Sequence, residues 1–105
     1  MQKDTVTASA LLTNTVGLHA RPSVRLTQLA KSFAAKVEVA LGPEGPWVDA
    51  KSPVKTMKVK APKGATLHFR AHGADAREAV HSLVTLVERR FDEPEEASVN
   101  GTVDD

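Results

Sequence analysis

Two hydrophobic rhythms alternate along this chain, and their order limits what it can fold into. Val6, Ala8, Ala10 and Leu12 alternate with Thr7, Ser9, Leu11 and Thr13, the period of a strand with one face toward a core. Leu26, Leu29, Ala30 and Phe33 then recur at helical spacing, which predicts a helix of about 12 residues with His19 or Ala20 as its N-cap. Val37, Val39 and Leu41 mark a second strand, and Gly42-Pro43-Glu44-Gly45 turns the chain back into a short third strand over residues 46–50. Ser52-Pro53 reads as N-cap plus first residue of a short helix reaching about Val59. After the turn at residues 61–64, Leu67, Phe69 and Ala71 alternate with His68, Arg70 and His72 as a fourth strand. The last and longest helix starts near Ala74-Asp75 and carries Ala76, Val80, Leu83, Val84, Val87 and Phe91 on one stripe.

Each strand has a single apolar face, so the sheet needs cover on one side only. The expected fold class is therefore α+β: a four-stranded, mostly antiparallel sheet covered on one face by three helices, in the order βαββαβα. A chain of 105 residues supplies one such domain, expected to span residues 1–91 and to act as a monomer. All 14 Lys and Arg fall within that span against seven acids, whereas residues 92–105 hold six acids and no base. This acidic stretch has too little apolar content to fold alone and is expected to be a disordered tail.

Several classes of chemistry drop out. Without cysteine there is no thiol nucleophile, disulfide or thiolate metal site, which leaves oxygen or histidine nitrogen as the nucleophile. His68 and His72 are about 13 Å apart on a strand, and His81 lies off the apolar stripe of the last helix, so no metal and no cofactor are expected. The lysines at 51, 55, 58, 60 and 63 could face nucleic acid, but three Phe, one Trp and no Tyr offer little for base stacking, and no nucleic-acid partner is expected. No apolar run reaches the roughly 20 residues of a membrane span, and the start lacks a secretion signal, so the expected location is the cytoplasm with no membrane partner.

His19 stands apart from the packing pattern, because it lies in a Gly-containing loop at a helix start. Backbone N–H groups and the partial positive charge of a helix N-terminus bind anions, and Arg21 adds a guanidinium that grips phosphate oxygens. A neutral imidazole keeps one unprotonated ring nitrogen as nucleophile. Gly17, Ala20 and Pro22 complete the helix start, with proline comfortable in a first turn. The competing reading is a histidine that merely caps the helix.

The string Gly17-Leu18-His19-Ala20-Arg21-Pro22 resembles the active-site motif of HPr, the histidine phosphocarrier family of the bacterial phosphotransferase system. Ala30-Lys31-Ser32-Phe33, the hairpin, Asp49-Ala50-Lys51-Ser52 and the order of seven elements extend the resemblance to about residue 91. It implies an open-faced β-sandwich in which His19 accepts phosphate through Nδ1 from the phosphoenolpyruvate-dependent enzyme I. It further implies that Arg21 assists transfer and that enzyme II components of the EIIA type receive the phosphate. The chain would then be a carrier and co-substrate, not an enzyme.

Ser52 matches the family's regulatory serine, the target of an HPr kinase in some bacteria, although capping explains Ser-Pro at a helix start equally well. Here the chain continues with Pro53-Val54-Lys55, where the family usually has apolar residues and a glycine, so Val54, Lys55 and Met57 form an altered partner-docking patch. Val16 before the glycine and Trp47 in the hairpin leave open a regulatory or nitrogen-branch paralogue that acts mainly by protein binding.

Overall fold

Seven elements follow one another in the expected order in the computed structural model, which describes residues 5–14 and 16–92. They are β1 (Thr5–Leu11), α1 (Ala20–Lys31), β2 (Lys36–Ala40), β3 (Val48–Asp49), α2 (Pro53–Met57), β4 (Thr66–His72) and α3 (Ala76–Glu88). The acidic stretch from residue 93, with Pro94, lies outside the described residues.

The strands form one antiparallel sheet in the order β1-β4-β2-β3. In register, Ala8 faces Phe69 and Val39 faces Phe69 from the other side, so the inward positions of three strands meet in one row. Leu67, Phe69 and Ala71 are fully buried, as their alternation with His68, Arg70 and His72 predicts. The helix α3 crosses β1, β4 and β2 with Ala76, Ala79, Val80, Leu83 and Val87, and α1 packs beside α2 and α3. Burial of each large side chain in this layer contributes about 1.5–3 kcal/mol.

On the opposite sheet face Trp47 stacks over Arg70, 4.4 Å from ring centroid to guanidinium carbon. Arg70 in turn donates to Glu38, its register partner on β2, at 2.8 Å. A cation held between a carboxylate and an indole face is a satisfied structural cluster, and it accounts for a tryptophan in the hairpin.

Four expectations needed correction. β3 pairs over only two residues, because Pro46 has no N–H to add to the ladder and Leu41 has already left β2, with its side chain exposed. α2 ends at Met57, before Val59. The buried face of α1 is Pro22, Ser23, Leu26, Thr27 and Ala30, rotated from the predicted stripe; Leu29 and Phe33 are half-buried. Small hydroxyl residues make that face possible, and Thr27 donates to the Ala50 carbonyl at 3.2 Å just ahead of α2. Phe91, finally, is buried from beyond α3 rather than on it, in a turn where Arg90, Phe91 and Asp92 have φ of 56, 59 and 58. That left-handed backbone is disfavoured for non-glycine residues, and the fully buried ring and an Arg25 bond to the Phe91 carbonyl at 2.8 Å offset it.

Candidate functional site

The loop before α1 is strapped to the turn before β4. Leu12 N–H donates to Ala65, Gly64 N–H donates to Leu12, and Leu18 N–H donates to Ala61, each at 2.8 Å. Gly17 sits in this strap with φ of 69, and a Cβ there would lie 2.6 Å from the Ala61 carbonyl oxygen. Glycine is therefore required twice over, by its backbone region and by the close approach. Leu18 follows, 3% exposed, and its side chain joins the core.

Burying Leu18 turns the next residue outward. His19 is exposed and is the N-cap of α1, with extended backbone (φ −93, ψ −168). Its carbonyl accepts the first helical bond, from Ser23 N–H at 3.0 Å, but its side chain makes no capping hydrogen bond. The imidazole is thus not spent on the helix. No acidic residue lies in the first turn of α1, so nothing there offsets the positive end of the helix. Ala20 and Arg21 bring N–H groups and the Arg21 side chain is exposed; Pro22 is buried and has no N–H, so the amides of the site are those of residues 20 and 21.

A groove of about 540 Å³ opens beside His19, lined by Val16, Leu18, His19, Ala20, Met57, Lys60, Ala61 and Pro62. The sequence-derived docking patch is split by it. Met57 enters this groove next to His19, Val54 stands 58% exposed on α2, and Lys55 lines a separate recess with Lys36, Glu38, Trp47 and Lys51. The sequence places Ala61 and Pro62 in a turn and Lys60 in the lysine-rich stretch; their position beside His19 comes from the strap to Leu18, a long-range contact.

Ser52 caps α2: its hydroxyl accepts from Lys55 N–H at 3.3 Å, with Pro53 at the first helical position. Capping is therefore its observed role. Asp75 precedes α3 yet its carboxylate does not cap that helix. It accepts from Ala34 N–H at 2.9 Å and Ala35 N–H at 2.8 Å. The Ala34 bond chiefly, aided by Ala35 and by the charge of Lys51 and opposed by desolvation, holds its pKa below the ordinary carboxylate value.

His72 Nδ1 lies 2.9 Å from the Thr5 hydroxyl, and His81 is exposed on α3. Among the described residues no three His, Asp or Glu side chains converge on a common point. Within the same residues, no helix is long and apolar enough to cross a membrane.

Residues 6–89 match the family model described as the PTS HPr component phosphorylation site. The phosphocarrier protein HPr of Cupriavidus necator is 39% identical over 95 residues, covering 90% of this chain and 99% of the relative. The phosphocarrier protein NPr of Escherichia coli is 32% identical over 89 residues, covering 85% and 98%. Among solved structures, HPr-C-His from Thermoanaerobacter tengcongensis superposes with a TM-score of 0.77 at 31% identity, over 85% of this chain and 98% of the other.

Proposed function

This chain belongs to the HPr family of phosphocarrier proteins of the phosphotransferase system, and from that premise we propose that His19 is the residue that carries the phosphoryl group. It is a carrier, not an enzyme: it takes up and gives back a group whose transfer other proteins catalyse. The observation that carries the assignment to His19 is its position as an exposed N-cap whose side chain does no capping.

In the proposed step an unprotonated imidazole nitrogen, Nδ1, attacks the phosphorus of a phosphohistidine on enzyme I. The new N–P bond forms as the donor's N–P bond breaks in line, and the electron pair leaves with the donor imidazole. The product places about two negative charges at the start of α1. The Ala20 and Arg21 amides, the helix dipole and the Arg21 guanidinium all stabilise charge there. Reversing the step with an EIIA-type acceptor delivers the group onward. The apolar wall of Leu18, Met57 and Pro62 supplies a docking surface, with Lys60 at its edge to favour an acidic partner.

Incubation with phosphoenolpyruvate and enzyme I should add one acid-labile phosphate to the intact mass, absent in His19→Ala. An unchanged gain in that variant would refute the site. Arg21→Ala should still be labelled, about tenfold more slowly, the worth of a charge-assisted hydrogen bond; Arg21→Lys should recover part of the rate.

A second reading, carriage within a regulatory or nitrogen-related branch, is favoured by the NPr relative. Competition between EIIA proteins of the sugar and nitrogen branches for phosphate from the labelled chain decides between them.

A further inference from the structure

We infer that Asn14 is a positioning residue for phosphoryl transfer, acting on His19 through the carbonyl of Gly17; the inference rests on His19 being the phosphorylated residue. Asn14 lies five positions upstream of His19 and is 5% exposed. Its Nδ2 donates to the Gly17 carbonyl at 2.8 Å, while Gly17 N–H donates back to the Asn14 carbonyl at 3.2 Å. A carbonyl can only accept, so this contact sets which way the Asn14 amide points.

The same Gly17 carbonyl also accepts from His19 N–H, at 3.1 Å. One oxygen therefore joins the Asn14 side chain to the backbone of the reactive residue. Gly17 is the point where the loop is most constrained, with its left-handed φ and no room for a Cβ against Ala61. Fixing its carbonyl fixes the Gly17–Leu18 peptide plane, and with it the direction in which His19 leaves the strap. Because the His19 ring makes no capping bond, its placement depends on that backbone rather than on a bond of its own.

The other end of the Asn14 amide argues that this is more than packing. Oδ1 is buried and has no hydrogen-bond partner among the described residues. A buried acceptor without a partner costs about as much stability as the Nδ2 bond to Gly17 returns, so a leucine of similar size should hold the fold about as well. The polar side chain weakens the core at one atom while it orders the active loop at another. Ordering a reacting group pays in rate, because a small displacement of an attacking atom slows an in-line transfer.

The test is Asn14→Leu, with the purified chain as the varied substrate of enzyme I and phosphoenolpyruvate, and thermal unfolding measured alongside. The expected result is an unchanged or higher Tm, an unchanged KM and a kcat lowered about fivefold, what the loss of one hydrogen bond amounts to. An undiminished kcat, or a loss confined to KM, overturns the inference. Should Asn14→Leu fail to fold, Asn14→Asp takes its place, keeping the shape while setting an acceptor against the Gly17 carbonyl; the same kcat and KM criteria apply. Absence of acid-labile phosphate on the unmodified chain would defeat the His19 assignment and this inference with it. Normal labelling of the unmodified chain with full kcat in the variants would defeat the role of Asn14 alone.

Discussion

The starts of α1 and α2 face the same physical problem and solve it in opposite ways. At α2 the Ser52 hydroxyl accepts from Lys55 N–H, and Pro53 removes one orphan donor outright. At α1 the N-cap is a histidine whose side chain makes no capping bond. Such a cap is worth about 1 kcal/mol, so α1 does without a stabilising contact that the five-residue α2 uses. It can do so because Leu26, Thr27 and Ala30 are fully or nearly fully buried along its 12 residues. Packing holds α1, and its positive end stays available to an incoming anion. Where a helix terminus is left uncapped and exposed although a better capping residue would fit, binding is the reason to look for first.

The contrast breaks most completely under His19→Ser, which installs the α2 type of cap on α1. Acid-labile phosphate uptake should vanish, while stability should rise by about 1 kcal/mol in chemical denaturation. A less stable variant would mean that the imidazole supports the fold after all. Gly17→Ala should come next, because it strikes the strap that presents His19. The left-handed φ and the 2.6 Å approach to Ala61 together predict a loss of about 2–3 kcal/mol, read as a lower urea midpoint.

Ser52→Ala should cost about 1 kcal/mol and leave labelling by enzyme I intact; impaired labelling would tie the α2 cap directly to the site. The smallest effect concerns the start of α3, where Asp75 spends its carboxylate on Ala34 and Ala35 rather than on its own helix. Its folded pKa lies below the unfolded one. Its contribution is therefore present above the unfolded pKa and is lost as pH falls through the folded value. Asp75→Asn should give a shallower fall of Tm below about pH 4, and a profile parallel to that of the unmodified chain would remove this role.

How much was legible beforehand depended on the range of the interactions. His19, Arg21 and Pro22 stood out because a helix start is a local device, written in a contiguous string that includes the residue proposed to react. Leu67, Phe69 and Ala71 were assigned to the core for the same reason, since alternation settles which face of a strand is buried. Met57, Lys60, Ala61 and Pro62 could not be grouped with His19 from spacing, because the strap that joins them spans more than 40 positions of chain. Asn14 did carry a signal, an Asn three residues before a glycine, the pattern of a side chain closing a turn. Phe91 was misplaced because helical periodicity continued past the point where the backbone turned left-handed.

Element order, the one-sided character of the strands and the exposed histidine at the start of α1 were thus determined by the sequence itself, since backbone periodicity, proline and capping chemistry act over a few residues. Tertiary structure decided which turn lies against the loop that carries His19, which face α1 buries, and that Met57 and Lys55 line separate recesses. Those outcomes rest on close approach between distant segments, Gly17 on Ala61 and Thr27 on Ala50, where the available space is created only when the sheet and helices have packed.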